Sequence, residues 1–254
     1  MIYKNNKILV LMDQNMNGLF LGFSTLLLTA ILETVNKKSA SKIIKEQGIH
    51  LYYSAWMNTT INSIIYGPIV YSLVANNFID NSISHVYIIS AININSLLII
   101  HSIGYWIAHI IMHNKKFFFM HRFHHKFSIH VSPVIAMAVS PYEYFFAYML
   151  PFIIGSVMII PNSNELNIAA SIVSISNIII HSPSFNIDVE YPDCLVSPSK
   201  HLGHHESMNT HLAAPTYDLD YIYGVFFKKS CNIVKQTNVN EKLNIISVPK
   251  SIKI

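Results

Sequence analysis

The sequence predicts an all-α integral membrane protein, with about four to five membrane helices paired in hairpins and a histidine-rich cap on the cytosolic side. Hydrophobic residues make up 52% of the chain and charged residues only 12%, whereas a typical soluble domain has about 25% charged residues. Apolar stretches of about 20 residues, the length that crosses a bilayer as a helix, recur along the chain. Clusters of histidine lie beside these stretches.

Five stretches are candidate membrane helices: residues 18–35, 61–79, 86–112, 142–160 and 166–182. The first is the weakest candidate because lysines flank both of its ends, so that it either spans the membrane or lies in the interface. The other four form two hairpins, since short polar turns connect them in pairs. These turns are "DNSIS" (80–84) and "PNSNE" (161–165).

The distribution of lysine and arginine orients the hairpins. Neither turn contains Lys or Arg, whereas "KKSASKIIK" (37–45) and "NKK" (114–116) lie at the opposite ends of the helices. Positively charged residues favour the cytosolic side of a membrane. We therefore expect residues 113–133 and 196–254 in the cytosol and residues 161–165 on the lumenal side.

The chain is expected to have three parts. Residues 1–60 form an N-terminal membrane-associated segment, residues 61–226 the central domain, and residues 227–254 a Lys-containing cytosolic tail. The net charge of +4 is modest, and the basic residues lie between apolar segments. Since no basic stripe interleaved with aromatic residues is present, the sequence predicts no nucleic-acid partner.

Nine of the 14 histidines follow a pattern of spacings. Histidines three or four residues apart lie on one face of a helix, and histidine is the commonest metal-ligating side chain. The hairpin of 142–160 and 166–182 returns the chain to the same membrane face, so that distant histidines can meet. The pattern comprises "HIIMH" (109–113), "HRFHH" (121–125), "HLGHH" (201–205) and the lone His181.

This number of histidines exceeds the needs of one ion, because a catalytic zinc takes three protein ligands and a structural zinc takes four. Two metal ions with open positions fit better. Imidazole ligands suit Fe, Zn, Cu or Ni, and a site at the lipid boundary favours redox-active iron acting on a lipid. The remaining histidines in the apolar part, which are His50, His85, His101 and His130, are interpreted as structural or solvated.

These motifs resemble the fatty acid hydroxylase/sterol desaturase superfamily over roughly residues 100–226. The three histidine boxes match in type and order, and "YWIAH" (105–109) resembles the aromatic lead into the first box. Further matches are "SPYE" (140–143), "IIIHS" (178–182) and "DYIYG" (220–224).

The resemblance implies an integral membrane enzyme, commonly of the endoplasmic reticulum, that hydroxylates or desaturates a sterol or a fatty acyl chain. It implies two iron ions, which zinc can replace, together with O2 and electrons from a partner such as cytochrome b5 or a reductase. The implied metal ligands are His109, His113, His121, His124, His125, His181, His201, His204 and His205.

At four positions the chain differs from the family pattern. Ile110 stands where the family has arginine, Ser102 where it has an acidic residue, and Ser140 where it has histidine. His211 stands where the family has asparagine, although Asn209 lies two residues earlier. The residues expected to contact the ligands, rather than the metal itself, are His211, Asn209 and Asp220.

Two other hypotheses remain. These departures motivate the first, a catalytically inactive relative that binds metal or lipid in a structural or regulatory role. Intramembrane histidines can also line the path of a metal transporter, but the boxes lie at the ends of the predicted helices, which argues against transport. The sequence does not specify which lipid is the substrate.

Overall fold

The computed structural model describes residues 2–82, 85–128, 130–185 and 191–227, and these residues fold mainly into helices. Among these residues, the β structure is a single antiparallel bridge between Leu195 and Tyr217. The α-helices are α1 (Ile2–Val35), α2 (Lys37–Lys42), α3 (Ile49–Ile61), α4 (Gly67–Asn77), α5 (Tyr87–His113), α6 (Phe118–His121), α7 (Pro141–Glu143), α8 (Leu150–Ile159), α9 (Ser163–Ile180), α10 (Pro198–Ser207) and α11 (Leu219–Phe227).

Two long helical rods are continuous across π-helical turns. Asn62–Tyr66 joins α3 to α4, and Tyr144–Met149 joins α7 to α8. A π turn widens the helix locally and often occurs at functional sites. Short 3₁₀ turns at His124–Phe127 and Pro133–Met137 carry the chain from α6 toward α7.

Three helical stretches have the length and apolar composition of a membrane span: Met16–Val35, Tyr87–His113 and Pro141–Ile159. They match the predicted stretches 18–35, 86–112 and 142–160, and they include the one judged weakest. The predicted stretches 61–79 and 166–182 are helical as α4 and α9. Among the described residues, however, these two lack the apolar composition of a membrane span, because polar residues interrupt both: Asn62 and Ser63 precede α4, and Glu165 and Asn177 lie in α9.

Close helix packing holds the spans together. Helix α1 packs on α4, and α5 packs on both α8 and α9. A Cβ atom at Gly22 would lie 2.0 Å from the Ser63 carbonyl oxygen, and one at Gly104 would lie 2.7 Å from Pro151. Small residues at such crossings let helix backbones approach one another, as is common in membrane proteins.

The two predicted hairpins turn at the same end of the bundle. The Asp80 amide donates to the Pro161 carbonyl at 3.1 Å, and the Ser163 amide donates to Asn81 Oδ1 at 2.9 Å. Helix α9 begins there with a capping box, in which Asn162 and Glu165 bond each other's backbone amides. Because both turns meet at this end, the histidine boxes lie together at the other end.

The chain divides into two compact units, Met1–Asp220 and Tyr221–Ile254. The larger unit contains helices α1–α10. Of the smaller unit, residues 221–227 are described, and they are helical. The predicted boundaries after residues 60 and 226 stay predictions, and all of the predicted tail except residue 227 lies outside the described residues.

Candidate metal centre

All nine histidines of the sequence pattern lie close together at one end of the bundle. The end of α5 contributes one pair, α6 and the following 3₁₀ turn contribute three, the C-terminal end of α9 one, and α10 three. Eight of the nine are at most 4% exposed, and His113 is partly buried. The local spacing of each box and the packing of four segments together produce this convergence.

The histidines form two groups, and within each group the ligand nitrogens lie within 4.8 Å of one another. The first group has five members and the second has four. The first consists of His109, His113, His121, His125 and His204, and the second of His124, His181, His201 and His205.

Each HxxHH box is divided between the two groups, and the two boxes divide in opposite ways. The outer histidines of the first box, His121 and His125, join the five-membered group, whereas His124 joins the other. In the second box the outer pair joins the four-membered group and His204 joins the five-membered one. Residues four apart in a helix share a face, while adjacent residues point about 100° apart, so that one box can serve two centres.

The distances between ring nitrogens fit metal coordination. His109 Nε2 lies 2.9 Å from His121 Nε2 and 3.2 Å from His113 Nε2. In the second group, His181 Nε2 lies 3.3 Å from His124 Nε2 and 3.0 Å from the ring of His201. Two nitrogens each about 2.1 Å from one ion, at a right angle, are about 3.0 Å apart. Both groups therefore have the spacing of ligands around an ion.

Buried nitrogens without a hydrogen-bond partner also fit this arrangement. Both ring nitrogens of His125 and of His205, and Nε2 of His204, are buried and unpaired among the described residues. Buried polar atoms in native proteins almost always have a partner, and a metal ion is the partner that neutral imidazoles share most readily.

Hydrogen bonds to the outer nitrogens fix the orientation of three rings, and a buried carboxyl group lies against the outer nitrogen of a fourth. Backbone carbonyls face Nδ1 of three histidines: Leu212 O at 2.7 Å from His109, Asn177 O at 2.7 Å from His181, and Thr210 O at 2.8 Å from His204. The fourth partner is a side chain, because Nδ1 of His121 lies 2.7 Å from Oε1 of Glu143 and both groups are fully buried. Each Nδ1 that faces a carbonyl carries the proton and leaves Nε2 free for a metal.

Electrostatics keep these rings neutral. Burial lowers the pKa of His125 to about 3 and that of His204 to about 4. Burial, with repulsion from the neighbouring imidazoles, holds the pKa of His124, His201 and His205 well below the usual range. Because metal ions bind the neutral imidazole, the centre is prepared for metal at neutral pH.

Two of the residues that differ from the family pattern, Ser102 and Ser140, make polar contacts. Ser102 Oγ donates to the Leu98 carbonyl and lies 2.7 Å from the Thr216 hydroxyl, so it still joins α5 to the loop after α10. Ser140 Oγ donates to the Met120 carbonyl at 2.6 Å and accepts from the Glu143 amide at 3.1 Å. Ser140 thereby ties the residue before His121 to that histidine's carboxylate partner. The third departure, Ile110, is 39% exposed on the outside of α5.

The three residues expected to contact the ligands lie in the loop after α10, which contains Asn209 and His211, and at the start of α11, which contains Asp220. His211 and Asn209 are exposed. The backbone of His211 is in the left-handed region with φ of 53°, and it stands between the two carbonyls that hold His204 and His109. Asp220 accepts hydrogen bonds from Trp106 Nε1 at 2.9 Å and from the Ala213 amide at 2.7 Å, which anchors this loop to α5.

Sequence reasoning missed three contributors to the centre. Glu143 was part of a quoted motif but was not named as a site residue, although a buried carboxylate at the start of an apolar helix is a signal in itself. The carbonyls of Thr210 and Leu212 give no side-chain signal. The unboxed His85 and His130 lie elsewhere, each 2.8 Å from a glutamate.

The fold and this centre define a class of protein: a helical membrane protein with a buried, two-group histidine site at one end of its helices. Comparison with known families agrees, since the family model described as fatty acid hydroxylase matches residues 94–228, a little more than half of the chain. The chain therefore belongs to the fatty acid hydroxylase family. No curated protein and no solved structure shows a significant match to the chain.

Proposed function

We propose that the chain is a membrane di-iron oxygenase that hydroxylates or desaturates a lipid, either a sterol or a fatty acyl chain, with O2 and external electrons. The observation that carries the proposal is the opposite division of the two HxxHH boxes between two histidine groups. This division supports two neighbouring ions rather than one, and membership of the fatty acid hydroxylase family supports lipid oxidation.

The choice of iron rests on chemistry. Imidazole ligands accept several metals, but zinc has no redox chemistry. Bound iron would supply the reduction of O2 and the attack on an unactivated C–H bond. Zinc is expected to replace iron when the protein is made in a foreign host.

The residues of the chain hold the ligands and exclude water. The carbonyls of Asn177, Thr210 and Leu212 keep the Nδ1 proton of three histidines in place, and Glu143 lies against Nδ1 of His121. Reducing O2 to a hydroxyl group and water takes one electron pair from the C–H bond and a second pair from a donor. We propose a separate donor such as cytochrome b5 or a reductase.

The proposed setting follows from the same features. Lysines near the histidine end support a cytosolic position for both groups, and the family resemblance supports the endoplasmic reticulum. Residues 61–226 would then be the catalytic domain, with 1–60 as a membrane-associated segment and 227–254 as a cytosolic tail. Ligand nitrogens buried in groups at one end of the bundle, rather than distributed along it, do not suit metal transport.

Lipid analysis of cells tests the proposal. Cells expressing the wild-type chain are compared with cells expressing His204→Ala/His205→Ala and with the control His130→Ala, whose histidine lies outside both groups. We expect an oxidised lipid in the wild type and the control that is absent from the double variant. Identical lipid profiles in all three, with a wild-type chain that is fully loaded with metal, would identify an inactive family member in a structural or regulatory role.

A further inference from the structure

An uncharged pocket lies between α1, α4, α8 and α9. Its wall is mostly apolar, and none of its described lining residues is Asp, Glu, Lys, Arg or His. Two of the three π-helical turns in the described residues contribute to it: Ser63 comes from the turn Asn62–Tyr66, and Tyr144 and Tyr148 come from the turn Tyr144–Met149. Since π turns often mark functional sites, the pocket has a structural origin beyond imperfect packing.

Polar groups concentrate in the half of the pocket toward the histidine end. Thr25, Ser63 and Asn177 each lie on the histidine side of the other lining residues of their helices, and Tyr144 and Tyr148 lie on that side of Met149 and Phe152. The half toward the turns is lined by apolar residues such as Val74, Phe152 and Leu166, together with Tyr71, whose buried hydroxyl makes no hydrogen bond among the described residues. An elongated amphiphile would match this asymmetry.

Two buried polar atoms in the polar half are without a hydrogen-bond partner among the described residues: Ser63 Oγ and Asn177 Oδ1. Exchanging the positions of the Asn177 amide oxygen and nitrogen does not solve this problem. Nδ2 already donates to the Ala136 carbonyl at 2.7 Å and lies 3.2 Å from the Tyr148 hydroxyl, so the exchange would place Oδ1 against the Ala136 carbonyl. A buried acceptor without a donor destabilises the protein. Its presence in a pocket therefore points to a donor supplied by a ligand.

Ser63 and Asn177 both line the pocket, and their helices are held beside the 3₁₀ turn at Pro133–Met137. Asn177 bonds the Ala136 carbonyl, and Asn62, the residue before Ser63, donates to the Met137 carbonyl at 2.9 Å. Asn177 also connects the pocket to the second histidine group, since its own carbonyl faces His181 Nδ1 at 2.7 Å. The polar end of the pocket is therefore one helical turn away from a candidate metal ligand.

We propose that this pocket binds a neutral lipid through a single hydroxyl group, which donates to Asn177 Oδ1 and accepts from Ser63 Oγ. The inference rests on the proposed function in taking this lipid as the substrate. A carboxylate or phosphate group would bring negative charge to an unpaired acceptor in a wall without a cation. A plain hydrocarbon would leave both polar atoms unpaired.

Equilibrium binding to the purified full chain in detergent tests the proposal without turnover. A tritiated long-chain primary alcohol is the probe, and the alkane and the carboxylate of the same chain length compete with it. We expect the alcohol to bind roughly tenfold more tightly than the alkane, since one or two net hydrogen bonds give about that factor. The carboxylate should bind more weakly than the alcohol. Equal binding of alcohol and alkane, or of alcohol and carboxylate, overturns the proposal.

Variants assign the binding to the two atoms. Ser63→Ala and Asn177→Leu should each weaken binding of the alcohol about three- to tenfold and leave the affinity for the alkane unchanged. Thr29→Val is the matched control, because Thr29 lies one turn further along α1, is not among the lining residues, and its buried hydroxyl donates to the Thr25 carbonyl at 2.8 Å. If Ser63→Ala weakens alcohol and alkane equally, the hydroxyl contact is refuted. If a variant aggregates, the relative affinities of the wild-type chain for alcohol, alkane and carboxylate still test the proposal.

The outcomes separate this inference from the proposed function. A chain that selects the alcohol but forms no oxidised product refutes the oxygenase proposal and leaves the pocket assignment standing. A chain that oxidises a lipid but binds alcohol and alkane equally refutes the pocket assignment alone.

Discussion

His121 Nδ1 and Glu143 Oε1 lie 2.7 Å apart, and both side chains are fully buried. The pair joins α6 to α7 and holds one ring of the five-membered histidine group. Partners of this kind typically contribute a factor of about 10–100 to metal affinity or activity.

We predict that Glu143→Ala weakens metal binding by the five-membered group about 10- to 100-fold and leaves the four-membered group unaffected. Glu143→Gln should lose less metal affinity, because its amide oxygen can still accept a hydrogen bond from Nδ1 of His121. Competition with a chelator measures both affinities. Glu46→Ala, which removes the exposed partner of His130, is the control and should change neither. Wild-type affinity in Glu143→Ala would contradict a role in orienting His121.

The division of the second HxxHH box predicts that adjacent histidines serve different ions. His113→Ala/His204→Ala removes two members of one group, whereas His204→Ala/His205→Ala removes one member of each. We expect the first double variant to retain the ion of the four-membered group and the second to lose most of both. Elemental analysis of the two folded proteins compares them directly. Equal metal content would show that the groups do not bind independently.

The backbone of His211 predicts a third result. Its φ of 53° is tolerated by Gly and Asn, but for a β-branched residue it costs about 1–2 kcal/mol. His211→Asn and His211→Gly should therefore retain metal and stability. His211→Ile should lower the melting temperature and loosen the carbonyls that hold His109 and His204. If His211→Asn loses metal as completely as His204→Ala, the His211 ring is itself a ligand.

Topology gives a fourth prediction, which the lysine distribution motivates. In a cysteine-free background, Lys115→Cys and Asn164→Cys place single thiols at exposed positions at opposite ends of the bundle. A membrane-impermeant reagent should label the first from the cytosol and the second from the lumen. Labelling of both from one side would refute the hairpin orientation.

Local patterns predicted much of this molecule. Spacings of three and four found eight of the nine converging histidines, because a helical face depends only on neighbours in sequence. His181 was found by its placement at the end of a predicted membrane helix. Apolar length found the three spans, since a bilayer imposes a fixed number of residues. The lysines beside residues 18–35 made that stretch the weakest candidate, yet the helical stretch Met16–Val35 has the length and apolar composition of a membrane span.

Other features depend on contacts between distant segments, and sequence reasoning did not find them. The division of each box between two groups depends on how α6 and α10 approach each other. Glu143 belongs to no spacing pattern, and the carbonyls of Thr210 and Leu212 act through a loop conformation. Hydropathy also predicted a span at 61–79, where α4 follows a π turn containing the buried Asn62 and Ser63.

Metal content tests the central claim most directly, namely that the nine histidines form two metal centres. The full chain is purified without oxygen, its folding is checked by its melting temperature, and its metal is measured per chain. We predict about two ions per chain, as iron or as zinc that has replaced it. Less than about half an ion per chain in folded protein would contradict the account, because neutral, buried imidazoles in this arrangement should hold metal tightly.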